Sequence, residues 1–213
     1  MDFTKINVDT FKNKTTNFNP TSNNDFTYRM FVNLDLSRLL AFINKQGLKL
    51  FPVCLYGITR IVNRHQEFRM AVDPQGNVGY FDVSNPCYTV FHEDNKIFTD
   101  AWTEYDENFA TFYQSCVSNI GQSQDLTKTA MPITNSNLFN VSCSPKTSLS
   151  NFKTVFLGEY DYLQPIFTIG KSFDKDDKVL LPLAIQVHGA VCDEAHATSF
   201  ACELQEWADN FAL

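Results

Sequence analysis

Apolar patterns of strand length and of helix length succeed one another along the 213 residues without an internal repeat, which predicts an α/β layered domain. Hydrophobic residues make up 44% of the chain and charged residues 19%, with 20 Phe and 8 Tyr, a composition that buries a core rather than staying unfolded. No Pro/Gly/Ser-rich linker interrupts it, so residues 1–213 read as one domain.

Each element has its own signal. Residues 1–25 are polar, rich in Asn and Thr and broken by Pro20, and read as an extended arm. Phe26 to Leu36 alternates, with Phe26, Tyr28, Met30 and Val32 on one face of a strand. Asp35 and Ser37 open an amphipathic helix through about Lys45, its apolar side formed by Leu36, Leu39, Leu40 and Ile43, and Gly47 stops it. After Pro52, the run Val53 to Val62 predicts a largely buried helix ending near His65, and Gly76-Asn77 turns one strand into the next. Cys87 to Phe91 and Lys96 to Thr99 predict paired strands across a turn at His92, followed by a helix around Glu107 to Ile120 and a long loop over 121–137. Strands are expected at Phe139–Ser142, Ile166–Ile169 and Val179–Val187, with a turn at Asp174 to Asp177, and a last helix from Ala195 to Phe211.

Bulk properties exclude several functions. A net charge of −7 and a pI near 5.0 argue against binding a nucleic-acid backbone, which requires clustered Lys and Arg. The six cysteines show no CxxC spacing and no charged-then-apolar leader precedes them, so a cytoplasmic protein with reduced thiols is expected. The longest apolar runs, such as Val179 to Ile185, are too short to cross a bilayer. No HxH, HExxH, GxxxxGK[ST] or GxGxxG motif occurs, so no metal and no phosphate-loop nucleotide site is expected. His92 and Glu93, at a strand end, read as local hydrogen bonding.

The chemistry concentrates near the C-terminus, where residues 186–196 read Gln-Val-His188-Gly189-Ala-Val-Cys-Asp193-Glu194-Ala-His196. Other distinctive segments are Phe68-Arg-Met-Ala, Cys87-Tyr-Thr-Val-Phe-His-Glu, Phe98 to Glu104, Asn108-Phe-Ala-Thr-Phe-Tyr, Pro165 to Lys171 and Leu181 to His188. Across almost its whole length the chain resembles the type A chloramphenicol acetyltransferases, whose signature is a His-His pair followed three residues later by Asp-Gly. The resemblance implies a two-layer sandwich, a mixed β-sheet covered by helices. It also implies a homotrimer with active sites in clefts between subunits, where the second His takes a proton from the acceptor hydroxyl and a Ser stabilises the oxyanion.

Against that pattern, Gly189 stands at the base, Asn151 at the oxyanion Ser and Lys146 at a Trp; Asn13 stands at the Arg that partners the retained Asp193, and Glu194 at the signature Gly. Glycine can neither take nor relay a proton. His188 would point to the opposite strand face from a side chain at 189, and His196 matches a scaffold His, so both are read as structural. The expectation is therefore a catalytically inactive acetyltransferase-like protein, with no catalytic residue and no cofactor requirement. It would bind or sequester a small polar, nucleotide-like ligand in the intersubunit cleft. Lys146, Asn151, His188, Asp193, Phe98, Tyr28, Thr168 and Lys171 would line that cleft, and Phe139 and Tyr162 are further stacking candidates. Two alternatives stand beside it: a retained O-acetyltransferase using acetyl-CoA with low or altered activity, to which Asp193, Thr168 and Lys171 belong, and a regulatory partner of an active homologue.

Overall fold

The computed structural model describes residues 2–7, 27–92, 96–123, 137–144 and 162–212. Its principal sheet is built on β2 (Thr27–Asp35) and β10 (Lys178–His188), which pair antiparallel over nine residues in the register Leu34↔Leu181, Val32↔Leu183, Met30↔Ile185 and Tyr28↔Val187. These pairs join the apolar face expected for the first strand to the face of β10 that enters the core. Phe26 itself lies outside the described residues.

From β10 the sheet continues through β8 (Ile166–Ile169), β7 (Leu138–Cys143), β5 (Asn85–His92) and β6 (Ile97–Trp102). The β5–β7 and β7–β8 pairs are parallel and the others antiparallel, so the sheet is mixed. β9 (Phe173–Lys175) was not anticipated. It pairs with β10 across Asp176 and Asp177, whose φ values of 50° and 60° form the two-residue hairpin turn that follows the twist of its strands. A smaller sheet of β1 (Phe3–Lys5), β4 (Val78–Phe81) and β3 (Met70–Val72) stands apart, with β3 and β4 joined at the expected Gly76-Asn77 turn. Within the polar arm, residues 3–5 are thus a strand.

Helices cover one face of the principal sheet. Helix α1 (Ser37–Gln46) buries Leu39 and Ile43 and stops at Gly47, whose φ of 67° is the left-handed conformation that ends a helix without a Cβ clash. Asp35 Oδ1 accepts from the Ser37 amide at 3.0 Å and from its hydroxyl at 2.7 Å. Helix α2 (Leu50–Arg64) is buried along most of its length. It takes Pro52, expected ahead of the helix, into its first turn, where a missing N–H costs no intrahelical bond. Helix α3 (Phe109–Gln122) is capped by Asn108, which accepts the Thr111 amide at 3.1 Å. Helix α4 (Glu194–Asn210) packs on β2, β10 and α2. The expected loop over 121–137 lies mostly outside the described residues.

Candidate active site

Alternation along β10 sorts its side chains. Leu181, Leu183, Ile185 and Val187 enter the helix-side core, while Ala184, Gln186 and His188 face the other way. Through the register, Ile166 and Thr168 of β8, Asn140 and Ser142 of β7, and Phe91 and Phe98 at the β5–β6 tip share this second face. Gln186, Thr168 and His188 are all buried there. Arg29 of β2 donates from Nε (3.1 Å) and Nη2 to Gln186 Oε1. Sequence reasoning missed this pair, although Gln186 lies two residues before His188 and therefore shares its face.

At the end of β10 the chain reverses. The His188 carbonyl accepts the amides of Val191 (3.1 Å) and Cys192 (2.9 Å), and His188 Nδ1 accepts the Ala190 amide at 3.1 Å. A neutral imidazole that accepts at Nδ1 carries its proton at Nε2, so His188 presents a donor to the sheet face and not a base. Gly189, the second residue of this reversal, is buried. Burial also raises the Cys192 thiol well above its ordinary range, which keeps that sulfur protonated.

The reversal feeds straight into α4. Asp193 caps it, with Oδ1 accepting the His196 amide at 3.1 Å and lying 2.6 Å from His196 Nδ1. Some burial raises the Asp193 carboxyl, but the His196 amide and ring outweigh it and hold the group below its ordinary value. The other ring nitrogen of His196 is 3.7 Å from Glu67, which is also 3.7 Å from His65, and His65 Nε2 is hydrogen-bonded to Glu203 Oε1 at 2.7 Å. His196 therefore clamps the helix start, and Asp193 caps a helix instead of pairing with an Arg.

The remaining site candidates are dispersed over the fold. Thr168 joins His188 on the second face, beside Ser142 and opposite Ala184. Phe98 shares that face but is 63% exposed on the terminal strand, its ring 4.8 Å from that of Phe91; four strand spacings, roughly 19 Å, separate β6 from β10. Lys171 is exposed just beyond β8. Tyr28 lies on the helix side of the sheet, against the core and opposite Val187, so it is not on the face of His188. Phe139 is fully buried, and the Tyr162 hydroxyl donates to the Leu138 carbonyl at 2.9 Å. His92 meets Thr99 at 2.7 Å, the local bond expected of it. Lys146, Asn151, Asn13 and Glu93 lie outside the described residues. Among the described residues no group of three His, Cys, Asp or Glu is arranged to hold a metal ion, and no helix is long and apolar enough to cross a membrane.

The fold is thus a mixed sheet with helices on one face, its longest strand ending in a buried His at the reversal into α4. A solved structure named chloramphenicol acetyltransferase superposes with a TM-score of 0.79 over 97% of this chain and 100% of its own, at 18% identity, a likeness of fold alone. The family model described as chloramphenicol acetyltransferase matches residues 1–205, and the chain belongs to that family. A protein of Clostridium perfringens named chloramphenicol acetyltransferase is 46% identical over 189 residues, covering 87% of this chain and 85% of the relative. One of Campylobacter coli with the same name is 42% identical over 209 residues, covering 97% and 98%.

These relationships overturn the expectation of a binding-only protein that sequesters a nucleotide. Relatives this similar carry the name of an acetyltransferase, not of a pseudoenzyme. The lack of a base side chain at Gly189 does not by itself remove every source of rate. A general base contributes on the order of 10²- to 10⁴-fold, whereas whole enzymes accelerate reactions by about 10⁶-fold or more. In enzymes generally, substrate positioning and electrostatic stabilisation supply much of the remainder.

Proposed function

We propose that this chain is an O-acetyltransferase that moves the acetyl group of acetyl-CoA to a hydroxyl of a chloramphenicol-type acceptor, at a low rate or with an altered acceptor preference. The 46% identity to the Clostridium perfringens acetyltransferase, over most of both chains, carries this reading. In the reaction the acceptor oxygen attacks the thioester carbonyl, a C–O bond replaces the C–S bond, and the hydroxyl proton leaves to solvent or to the departing CoA sulfur. Gly189 stands at the position of the family's base, so no side chain at that position draws the proton off in the transition state. His188, protonated at Nε2, is a hydrogen-bond donor and does not replace it. Thr168 contributes to the pocket and Lys171 to the coenzyme side. The chain works as a homotrimer in the cytoplasm, with acetyl-CoA as co-substrate and no resident cofactor.

The test is CoA release from acetyl-CoA with chloramphenicol, measured for the native protein and for Gly189→His, alone and combined with Asn151→Ser. Slow acceptor-dependent turnover by the native chain, raised about 10²-fold or more by the restored His, is the expected result. Absence of acceptor-dependent release from all three proteins would sink the reading.

A further inference from the structure

On the helix side, away from the face of His188, a hollow of about 530 Å³ opens between α2, the start of α3 and the second half of α4. That volume lies within the range of small-molecule pockets. One wall is aromatic: Phe211 packs against Phe109 at 5.0 Å and against Trp207 at 5.1 Å, and Tyr56 meets Phe109 at 5.2 Å. The rim is charged. Arg60 donates to the Tyr56 hydroxyl at 3.4 Å, a long bond, and among the described residues no carboxylate pairs with it. Its neighbour Arg64 is only loosely held, 3.8 Å from a Glu203 that His65 already engages at 2.7 Å. Glu206 also lines the hollow.

A half-buried guanidinium with most of its five donors unspent is costly beside apolar walls unless an acceptor completes it. The acceptor that fits its planar fork is a carboxylate or similar flat oxyanion. The rings offer stacking surface to an aromatic body, and Glu206 disfavours a second negative charge. We propose that this hollow is a binding site for an aromatic monocarboxylate, its acid group on Arg60 and its ring against Trp207, Phe109 and Phe211. The site is separate from the acetyl-transfer face, so the proposal stands whether or not that reading holds.

The full-length protein is titrated with phenylacetate, with its neutral amide phenylacetamide and with the cation phenethylamine, following saturation transfer to the ring protons by NMR. Phenylacetate is expected to saturate at about millimolar concentration and the other two to bind about tenfold more weakly. Arg60→Met should abolish the preference for the acid while circular dichroism and melting stay native, Arg60→Lys should retain part of it, and Glu206→Gln should tighten phenylacetate. If Arg60→Met does not fold, the Lys and Gln variants decide. Equal binding of the three probes, a preference indifferent to Arg60 and Glu206, or no saturable binding would each overturn the assignment.

Discussion

His188 organises the turn that follows β10. Its carbonyl and Nδ1 together take up three amides of the reversal at residues 190–192. Replacing His188 by Ala leaves the buried Ala190 amide without its acceptor, a loss of about 1–3 kcal/mol that urea unfolding should register. His188→Asn, whose amide oxygen sits near the position of Nδ1, should recover part of it. Asp35 gives a pH signature. Bonds from the Ser37 hydroxyl, then Lys178 and the Ser37 amide, bring its pKa from 3.8 to about 2. A carboxyl depressed on folding contributes stability that is fully present above the unfolded pKa and is lost as pH falls through the folded one. Melting temperature should therefore drop between about pH 4 and pH 2, and Ser37→Ala should flatten that drop, as acid titration by circular dichroism would show.

At the scale of elements, Gly57 decides how closely two helices approach. A Cβ at this position would lie 2.4 Å from Trp207 Cζ3, so Gly57→Ala must push the indole away. The overpacking should cost about 1–3 kcal/mol despite the better helix propensity of Ala, measurable by denaturant unfolding. Tolerance of the change with native stability would mean that α2 and α4 are packed less tightly than the Gly57–Trp207 approach requires. The elements most legible in the sequence were those with a strong period: the Tyr28, Met30 and Val32 face of β2, the Leu39 and Ile43 stripe of α1, and the run at Ile166–Ile169. β1 and β9 were not legible, because three residues such as Phe173-Asp-Lys carry no usable alternation; β9 is set by the turn at Asp176 and Asp177. The site was legible in part. The motif at 186–193 marked where the distinctive residues lie, but the cap role of Asp193 was not foreseen, and the face shared by Thr168, Gln186 and Arg29 depends on pairing partners that a single sequence does not display. Gly189 could be seen immediately, because a missing side chain is directly visible in a sequence.

For the molecule as a whole, thiol reactivity reports the integrity of the core. All six cysteines are free, and Cys202 is the exposed one. Burial raises Cys54 to about 12 and Cys87, Cys116 and Cys143 to about 11, and it holds Cys192 well above its ordinary range. Thiolate is the reactive form, so a disulfide reagent at neutral pH should label one sulfur quickly, lost in Cys202→Ser, and the other five only as the protein opens. Several fast thiols in the native protein would mean that the layers are looser than described. The β2–β10 pairing has a consequence for biosynthesis. Arg29 and Gln186 lie 157 residues apart in the chain, and at about 5–20 residues per second a ribosome needs roughly 10–30 s to supply the second after the first. Throughout that interval the nascent β2, with Phe31 and Met30 in an open strand, has no mate from its own chain, which makes this segment a natural place for a chaperone to hold.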